Sequence, residues 1–514
     1  MPASGWKLGL PAAIVCSVGA WLTAGLLQAD APPQKRKIPS TSLPAIDLGL
    51  WSGPMSPPRT TRVRPGDDQR PYVAGRVLVK FRDGTSANAR AAALSAAQAR
   101  GSSAMDWADF DIVSLDPTAD PEAVARALSQ RPDVLYAQAD YIAHPTFTPN
   151  DPLFAQQWNL AAQALDMPRA WDINNGASAS IIVAVLDTGL AYNNEIVTFQ
   201  TRGVLADNRV YPSLGQIDVP FAAAPDLGAG RVVSPRDFIW NDNDPLDFDG
   251  HGTHVTGTIG QATNNGVGVA GMAFNVRIMP LKVIATDWDF AFGNNNFGSA
   301  ATVAAGIRYA VDNGARVLNL SLGFDGATSL PAVEEAVQYA VSRGAFVSIA
   351  AGNNFEEGNP VEALAEIANR VDGAVSVAAV GRTLQRAYYS SRRTSVEISA
   401  PGGDLRADPS GGITQQTYDF GFSVPDPFSA PVSQYRAPRF DVFRFVPFQG
   451  TSMAAPHVAG LAAMLMQQGI DNPRAIEVAM KRFATDRGTP GRDDDFGIGL
   501  INPRATLRGL GLSR

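Results

Sequence analysis

The chain has 514 residues, 45% of them hydrophobic and 18% charged, with a formal net charge of −7. That length holds more than one domain with a large core, and without a basic excess no nucleic-acid partner is expected. The single cysteine, Cys16, falls in the N-terminal apolar segment, so a chain lacking that segment has no disulfide and depends on packing or bound ions.

Residues 8–27 (LGLPAAIVCSVGAWLTAGLL) carry no charge and follow Lys7, and Leu27-Gln28-Ala29 offers a small-residue cleavage site. The expectation is a signal peptide over 1–29 and a secreted, extracellular protein. The alternative is an uncleaved N-terminal anchor. Residues 30–71, proline-rich and holding KRK at 35–37, read as a linker or poorly ordered arm.

A compact pattern follows over 72–145. RVLVKF (76–81), FDIVSL (110–115) and DVLYAQADY (133–141) read as strands; 86–100 and 121–129 read as helices. An α+β unit this small is only marginally stable alone. Beyond it, SIIVAVLD (180–187), VRIMPLKVI (276–284), ARVLNLSLG (315–323), AFVSIAAGN (345–353) and AVSVAAVG (374–381) are apolar runs suited to strands buried on both faces. Helical stretches ending in glycine, 299–314 and 331–344, lie between them. This alternation predicts an α/β domain, a parallel sheet flanked by helices, with its site beyond the carboxyl ends of the strands.

GTSMAAPHVAG (450–460) places Ser452 at the head of a helix that has almost no polar face. Ser452 is either an N-cap or a nucleophile set where orphan N–H groups and the positive helix end converge. Asp187 closes a strand and precedes Thr188-Gly189; a turn cap is its bland role. His251, in DGHGTHVTG, has glycine on both sides and an accessible ring. Among the four histidines, 144, 251, 254 and 457, the latter two fall inside helices and read as packing residues. His251 and His254 form an HxxH pair, whereas helical zinc sites use i,i+4 spacing. Asp187, His251 and Ser452 can therefore form an acid–base–nucleophile triad in that chain order.

Those residues carry a resemblance. VLDTG (185–189), GHGTHVTG (250–257), SIAAGNN (348–354) and GTSMAAPHVAG (450–460), in this order, resemble the subtilisin family of serine peptidases over roughly 150–506. The resemblance implies a subtilisin-like catalytic domain over 146–514 and peptide hydrolysis by a monomer acting on polypeptide substrates. It makes Asp187, His251 and Ser452 catalytic, with the Asn353 amide donating to the oxyanion. It likens Gly298 and Ser321-Leu322-Gly323 to segments that sandwich an extended substrate, and Ala350-Ala351-Gly352 to a wall of the primary specificity pocket. The pocket floor stays unassigned.

The 72–145 unit resembles the ferredoxin-like inhibitory propeptide of these enzymes, which binds its own catalytic domain. NDPLFAQQW (150–158) resembles relatives holding structural calcium, and the matching positions are Asp151, Asp226 and Asn265. The chemistry itself needs no cofactor. The chain departs from the compact pattern between Asp187 and Asp226, and over 404–449, a segment readable as a surface loop, a second cleavage site or a rim of the cleft. Rival readings are a catalytically silent peptide-binding protein and an acyl hydrolase or esterase using the same triad.

Overall fold

The computed structural model describes residues 36–38, 72–141, 147–206, 209–211, 213–228, 230–420 and 437–510. The expected signal segment and most of the 30–71 linker lie outside the described residues. Arg36–Ile38 departs from the linker reading: it is a short strand antiparallel to Glu195–Gln200, Lys37 lying opposite Val197. Edge pairing of this kind uses backbone groups alone, so a charged run gives no signal for it. The chain divides into two compact units, with a break between Thr146 and Phe147.

The first unit runs β1 (Tyr72–Phe81), α1 (Ala87–Ala96), β2 (Gly101–Ala104), β3 (Asp111–Ser114), α2 (Pro121–Ser129), β4 (Val134–Tyr141). Its antiparallel sheet has the order β2-β3-β1-β4, a ferredoxin-like arrangement. Val77, Val79 and Phe81 alternate inward from β1 onto Ala93, Ala125 and Leu128 of the helices. Asp120 caps α2 by accepting from Glu122 N and Ala123 N, and Pro121 starts the helix where its missing donor is harmless. Strand β2 (GSSA) is exposed throughout, so it has no apolar alternation to read.

In the second unit seven strands form one parallel sheet. They are β5 (Ile182–Asp187), β6 (Arg236–Asp237), β7 (Arg277–Lys282), β8 (Val317–Leu320), β9 (Phe346–Ala350), β10 (Ala374–Val380) and β11 (Ile398–Pro401). Their order is β6-β7-β5-β8-β9-β10-β11. Alternate residues serve the two faces. Val183 and Val185 of β5 face α3 (His251–Gly260) and the later, buried α7 (Thr451–Gln467); Ala184 and Leu186 face α4 (Ala300–Asp312) and α5 (Pro331–Ser342). The chain leaves β5 toward β7 on one side and returns to β8 on the other. The topological switch therefore falls between β5 and β8, where ligand crevices open beyond the carboxyl ends of such sheets.

A buried ion pair braces that edge. Lys282 Nζ, at the end of β7, lies 3.0 Å from Asp289 Oδ2 with both side chains fully buried. It donates to Leu246 O at 3.1 Å and stands 3.8 Å from the Phe248 ring centroid. Asp289 also accepts from Trp240 Nε1 and Thr286 N. In a Ser452→Ala background, which removes self-digestion, Lys282→Met is expected to cost about 3–5 kcal/mol in denaturant unfolding, because it leaves a buried carboxylate without its cation. A loss below about 1 kcal/mol, the scale of an exposed pair, would contradict that role.

Candidate active site

Asp187 is the last residue of β5 and is fully buried. Its Oδ1 accepts Thr188 N at 2.8 Å and faces His251 Nδ1 at 2.7 Å. His251 opens α3 behind Gly250, whose φ of +99° suits glycine. The two segments meet backbone to backbone: a Cβ on Gly252 would lie 2.3 Å from Gly189 O. Glycine beside the histidine thus does more than uncover the ring; it lets α3 close onto the β5 turn.

Asp247, absent from the sequence reading, ties this junction together. Its Oδ1 accepts Thr188 Oγ1, Asp249 N and Gly250 N, and its Oδ2 accepts Thr253 N and Thr253 Oγ1. Thr188 Oγ1 in turn accepts Gly252 N at 2.9 Å. The turn after Asp187 and the start of α3 therefore share one buried carboxylate. Burial pulls the His251 imidazole downward, but Asp187 outweighs it, with Asp249 and Asp247 adding to the same side, and the ring is pushed up to about 9.

Ser452 is the second residue of α7, behind Gly450; its side chain is not the N-cap. Pro456, four residues on, has no N–H for the Ser452 carbonyl. That carbonyl instead accepts Ser321 Oγ at 2.8 Å, while Ser452 Oγ approaches Ser321 O at 3.4 Å. Leu320 pairs in register with Leu186, so Ser321 lies alongside Asp187. Ser452 is thereby held one strand from the acid–imidazole pair. Ser452 Oγ and His251 Nε2 are not hydrogen-bonded to each other, a looseness usual before substrate binds.

Asn353 follows β9. Its Oδ1 accepts Thr451 N at 2.8 Å and Thr451 Oγ1 at 2.9 Å. These bonds turn the amide so that Nδ2 faces away from Thr451, available to another acceptor. The proposed flanks fall in spatial order along the sheet edge. A Cβ on Gly298 would lie 2.7 Å from Val283 O, beside the end of β7. Ser321, Leu322 and Gly323 follow β8, and Ala350, Ala351 and Gly352 end β9.

The two other described histidines, His254 and His457, have structural partners. His254 Nε2 meets Ile413 O and Val446 O at 3.0 Å, and its ring stacks on Phe448. His457 Nδ1 meets Met453 O at 2.8 Å, and Asn159 Nδ2 lies 2.8 Å from Nε2. Burial lowers both, to about 3 and about 4. The ends of the 404–449 segment form an antiparallel hairpin, β12 (Ile413–Tyr418) and β13 (Phe443–Phe448). Thr417 Oγ1 donates to Gly250 O and Tyr418 OH to Asp247 O, so this insertion braces the histidine loop. Residues 421–436 lie outside the described residues.

At the proposed metal position, Asp151 and Asp226 are buried and neither has an ion-pair partner among the described residues. Burial holds Asp151 above the usual carboxylate range and Asp226 at about 6, the latter also repelled by Asp151. Asn265 Nδ2 donates to Asp226 Oδ1 at 2.7 Å, and Asp151 accepts Asn264 N at 2.7 Å. Among the described residues no group of three or more His, Cys, Asp or Glu converges. Both carboxylates already accept backbone or amide N–H groups; they are oxygen donors of the kind calcium takes, but Asn265 presents its Nδ2 to Asp226 and its Oδ1 to Val267 N, so its oxygen would have to turn to join them.

A sheet of this topology thus sets an acid–imidazole pair at its carboxyl edge, where such folds bind ligands. Residues 178–499 match the subtilase family, and residues 58–140 match the fervidolysin N-terminal prodomain. A thermophilic serine proteinase of Bacillus sp. (strain AK1) is 32% identical over 459 residues, covering 89% of this chain and 93% of that protein. An extracellular protease of Xanthomonas campestris pv. campestris is 28% identical, covering 84% of this chain and 72% of that protein. A solved protease from Pseudoalteromonas arctica aligns with a TM-score of 0.51 at 29% identity, over 71% of this chain and 99% of that one. The chain belongs to the subtilase family: it is a serine protease, a hydrolase, that carries an N-terminal prodomain.

Neutral imidazole is the form able to take a proton, so with His251 as the base activity would rise as pH passes through its pKa. Because that pKa is raised, the acid limb of the kcat/KM profile is expected above 6.5. A limb at or below 6.5 would mean that the carboxylates do not hold the ring as described.

Proposed function

We propose that this protein is a secreted endopeptidase, made as a self-processing zymogen, that cleaves peptide bonds through Asp187, His251 and Ser452. The observation that carries the reading is the Asp187–His251 hydrogen bond beside the Ser452 turn. His251 Nε2 takes the Ser452 hydroxyl proton as Oγ attacks the scissile carbonyl. Asp187 holds the Nδ1–H tautomer and stabilises the imidazolium that forms. Asn353 Nδ2 and the Ser452 N–H receive the oxyanion. Collapse expels the amine, which leaves with the proton from His251, and water then repeats the sequence on the acyl-enzyme. Substrate lies extended, pairing its backbone with Gly298 on one side and Ser321-Leu322-Gly323 on the other, with Ala350-Ala351-Gly352 as a pocket wall.

The 72–145 unit acts as the intramolecular inhibitor of an otherwise monomeric enzyme. Cleavage falls between Ala143 and Asn150. The packing of Phe147 against Trp171 and Phe274, and its N–H bond to Asp172, favour a cut upstream of residue 147. Structural calcium would be held by Asp151, Asp226 and Asn265, and would fasten the loop that also binds Asn150.

Ser452→Ala is expected to abolish casein and ester hydrolysis alike and to leave the chain uncut before residue 147, as read by N-terminal sequencing. A cut chain or residual turnover would reject Ser452 as nucleophile. Asn353→Ala is expected to lower kcat by about 10²–10³ with little change in KM; an unchanged kcat removes it from the oxyanion site. Chelation with EDTA is expected to lower the thermal midpoint of the wild type and much less that of Asp226→Asn. Equal shifts, or none, would exclude calcium at this position.

A further inference from the structure

Glu362 is only 9% exposed, and its carboxylate makes no hydrogen bond or ion pair with any described residue. It stands at the N-cap of α6 (Ala363–Ala368), yet its side chain does not cap that helix. It turns the other way. A Cβ on Gly352 would fall 2.4 Å from Glu362 Cγ and 2.7 Å from Oε1; one on Gly323 would fall 3.6 Å from Oε2. The acid therefore lies against both the 321–323 and the 350–352 segments.

Those segments are neighbours, because β8 and β9 are adjacent parallel strands with Leu320 beside Ile349. Both are bonded to the Ser452 turn. Ser321 Oγ donates to Ser452 O at 2.8 Å, and Gly352 N donates to Thr451 Oγ1 at 3.2 Å. The two segments therefore flank the Ser452 turn with the Glu362 side chain against them, and a side chain at Gly352 would collide with that acid.

We infer that Glu362 is the specificity-determining acid beside this turn, and that the preferred substrate residue contributing the scissile carbonyl is a cation, lysine or arginine. This rests on the peptidase reading above and deepens it. A carboxylate desolvated without a counter-charge is unfavourable, and a substrate ammonium or guanidinium supplies the missing charge-assisted bond. An apolar side chain in the same place would bury the acid further and give nothing in exchange. Asp325, exposed on the loop after Gly323, adds negative potential; Arg393, whose guanidinium bonds Pro360 O and Asn359 O rather than the Glu362 carboxylate, opposes it. Burial, then Asp325, raises Glu362 to about 7 against the pull of Arg393, so the acid is charged at alkaline pH and loses its charge below neutrality.

The test uses two peptides identical except for lysine or norleucine before the cleaved bond, with the processed enzyme at about pH 9. The kcat/KM ratio of lysine to norleucine is expected to be on the order of 10² in the wild type and about 1 in Glu362→Gln. The wild-type ratio is expected to fall as pH drops below 7. Misfolding lowers both rates and leaves the ratio alone. Cleavage of both peptides at equal efficiency by the wild type, or an unchanged ratio in Glu362→Gln, overturns this inference but leaves the peptidase reading standing. Cleavage of neither peptide, nor of casein, overturns both. Independently of any variant, benzamidine should inhibit the wild type competitively and neutral benzamide should not; equal inhibition by the two would also overturn the inference.

Discussion

The 2.7 Å contact between Asp187 Oδ1 and His251 Nδ1 joins two elements distant in the chain, the end of a central strand and the start of a helix. It exists only because those elements approach as backbones, Gly252 against Gly189. A buried carboxylate is unfavourable unless a proton donor meets it, and the imidazole is that donor. Asp187 Oδ2 has no partner among the described residues, so Oδ1 alone carries the carboxylate's two hydrogen bonds, from Thr188 N and from His251 Nδ1. The surrounding features serve this contact. Asp247 gathers five donors from the two segments, Lys282 grips the loop at Leu246, and the β12–β13 hairpin covers the histidine loop from outside.

Placement decides which imidazole is basic. His251, His254 and His457 all lose water, but only His251 faces carboxylates. Three of them, Asp187, Asp249 and Asp247, raise it, whereas His254 and His457 meet only neutral groups and burial lowers them. The same desolvation at Glu362 produces an acid waiting for a cation rather than a base waiting for a proton. One sheet edge thus carries two negative centres with different fates. Asp187 has its partner within the chain; on the reading offered here, Glu362 finds its partner in the substrate.

Much of the sheet was legible because its strands are buried on both faces and therefore appear as continuous apolar runs, as in IVAVLD and FVSIA. The helices between them end in glycine at 314 and 344, which marks their boundaries. Asp187 and His251 stood out because one closes an apolar run and the other opens a helix, whereas Asn353 stood out only through the resemblance of its block to the subtilisin family. The remainder left no such trace. Strand β2 is exposed GSSA, and β6 is two residues long. The hairpin strands β12 and β13 are separated by a long segment, so no turn signal joins them. Asp247 is one of several acids in DNDPLDFDG, and Glu362 one of three in FEEGNPVE; only three-dimensional placement distinguishes either. Ser452 was ambiguous for a related reason. Whether its side chain caps the helix turns on Gly450 taking the cap position, which spacing does not reveal.

The most direct test of this account is proton NMR of the His251 Nδ1–H on a Ser452→Ala chain. The account expects a strongly deshielded proton resonance that titrates with a midpoint above 6.5 and disappears in Asp187→Asn. A resonance that survives Asp187→Asn, or a ring that titrates at or below 6.5, would show that the buried carboxylate does not hold the imidazole and would contradict the account.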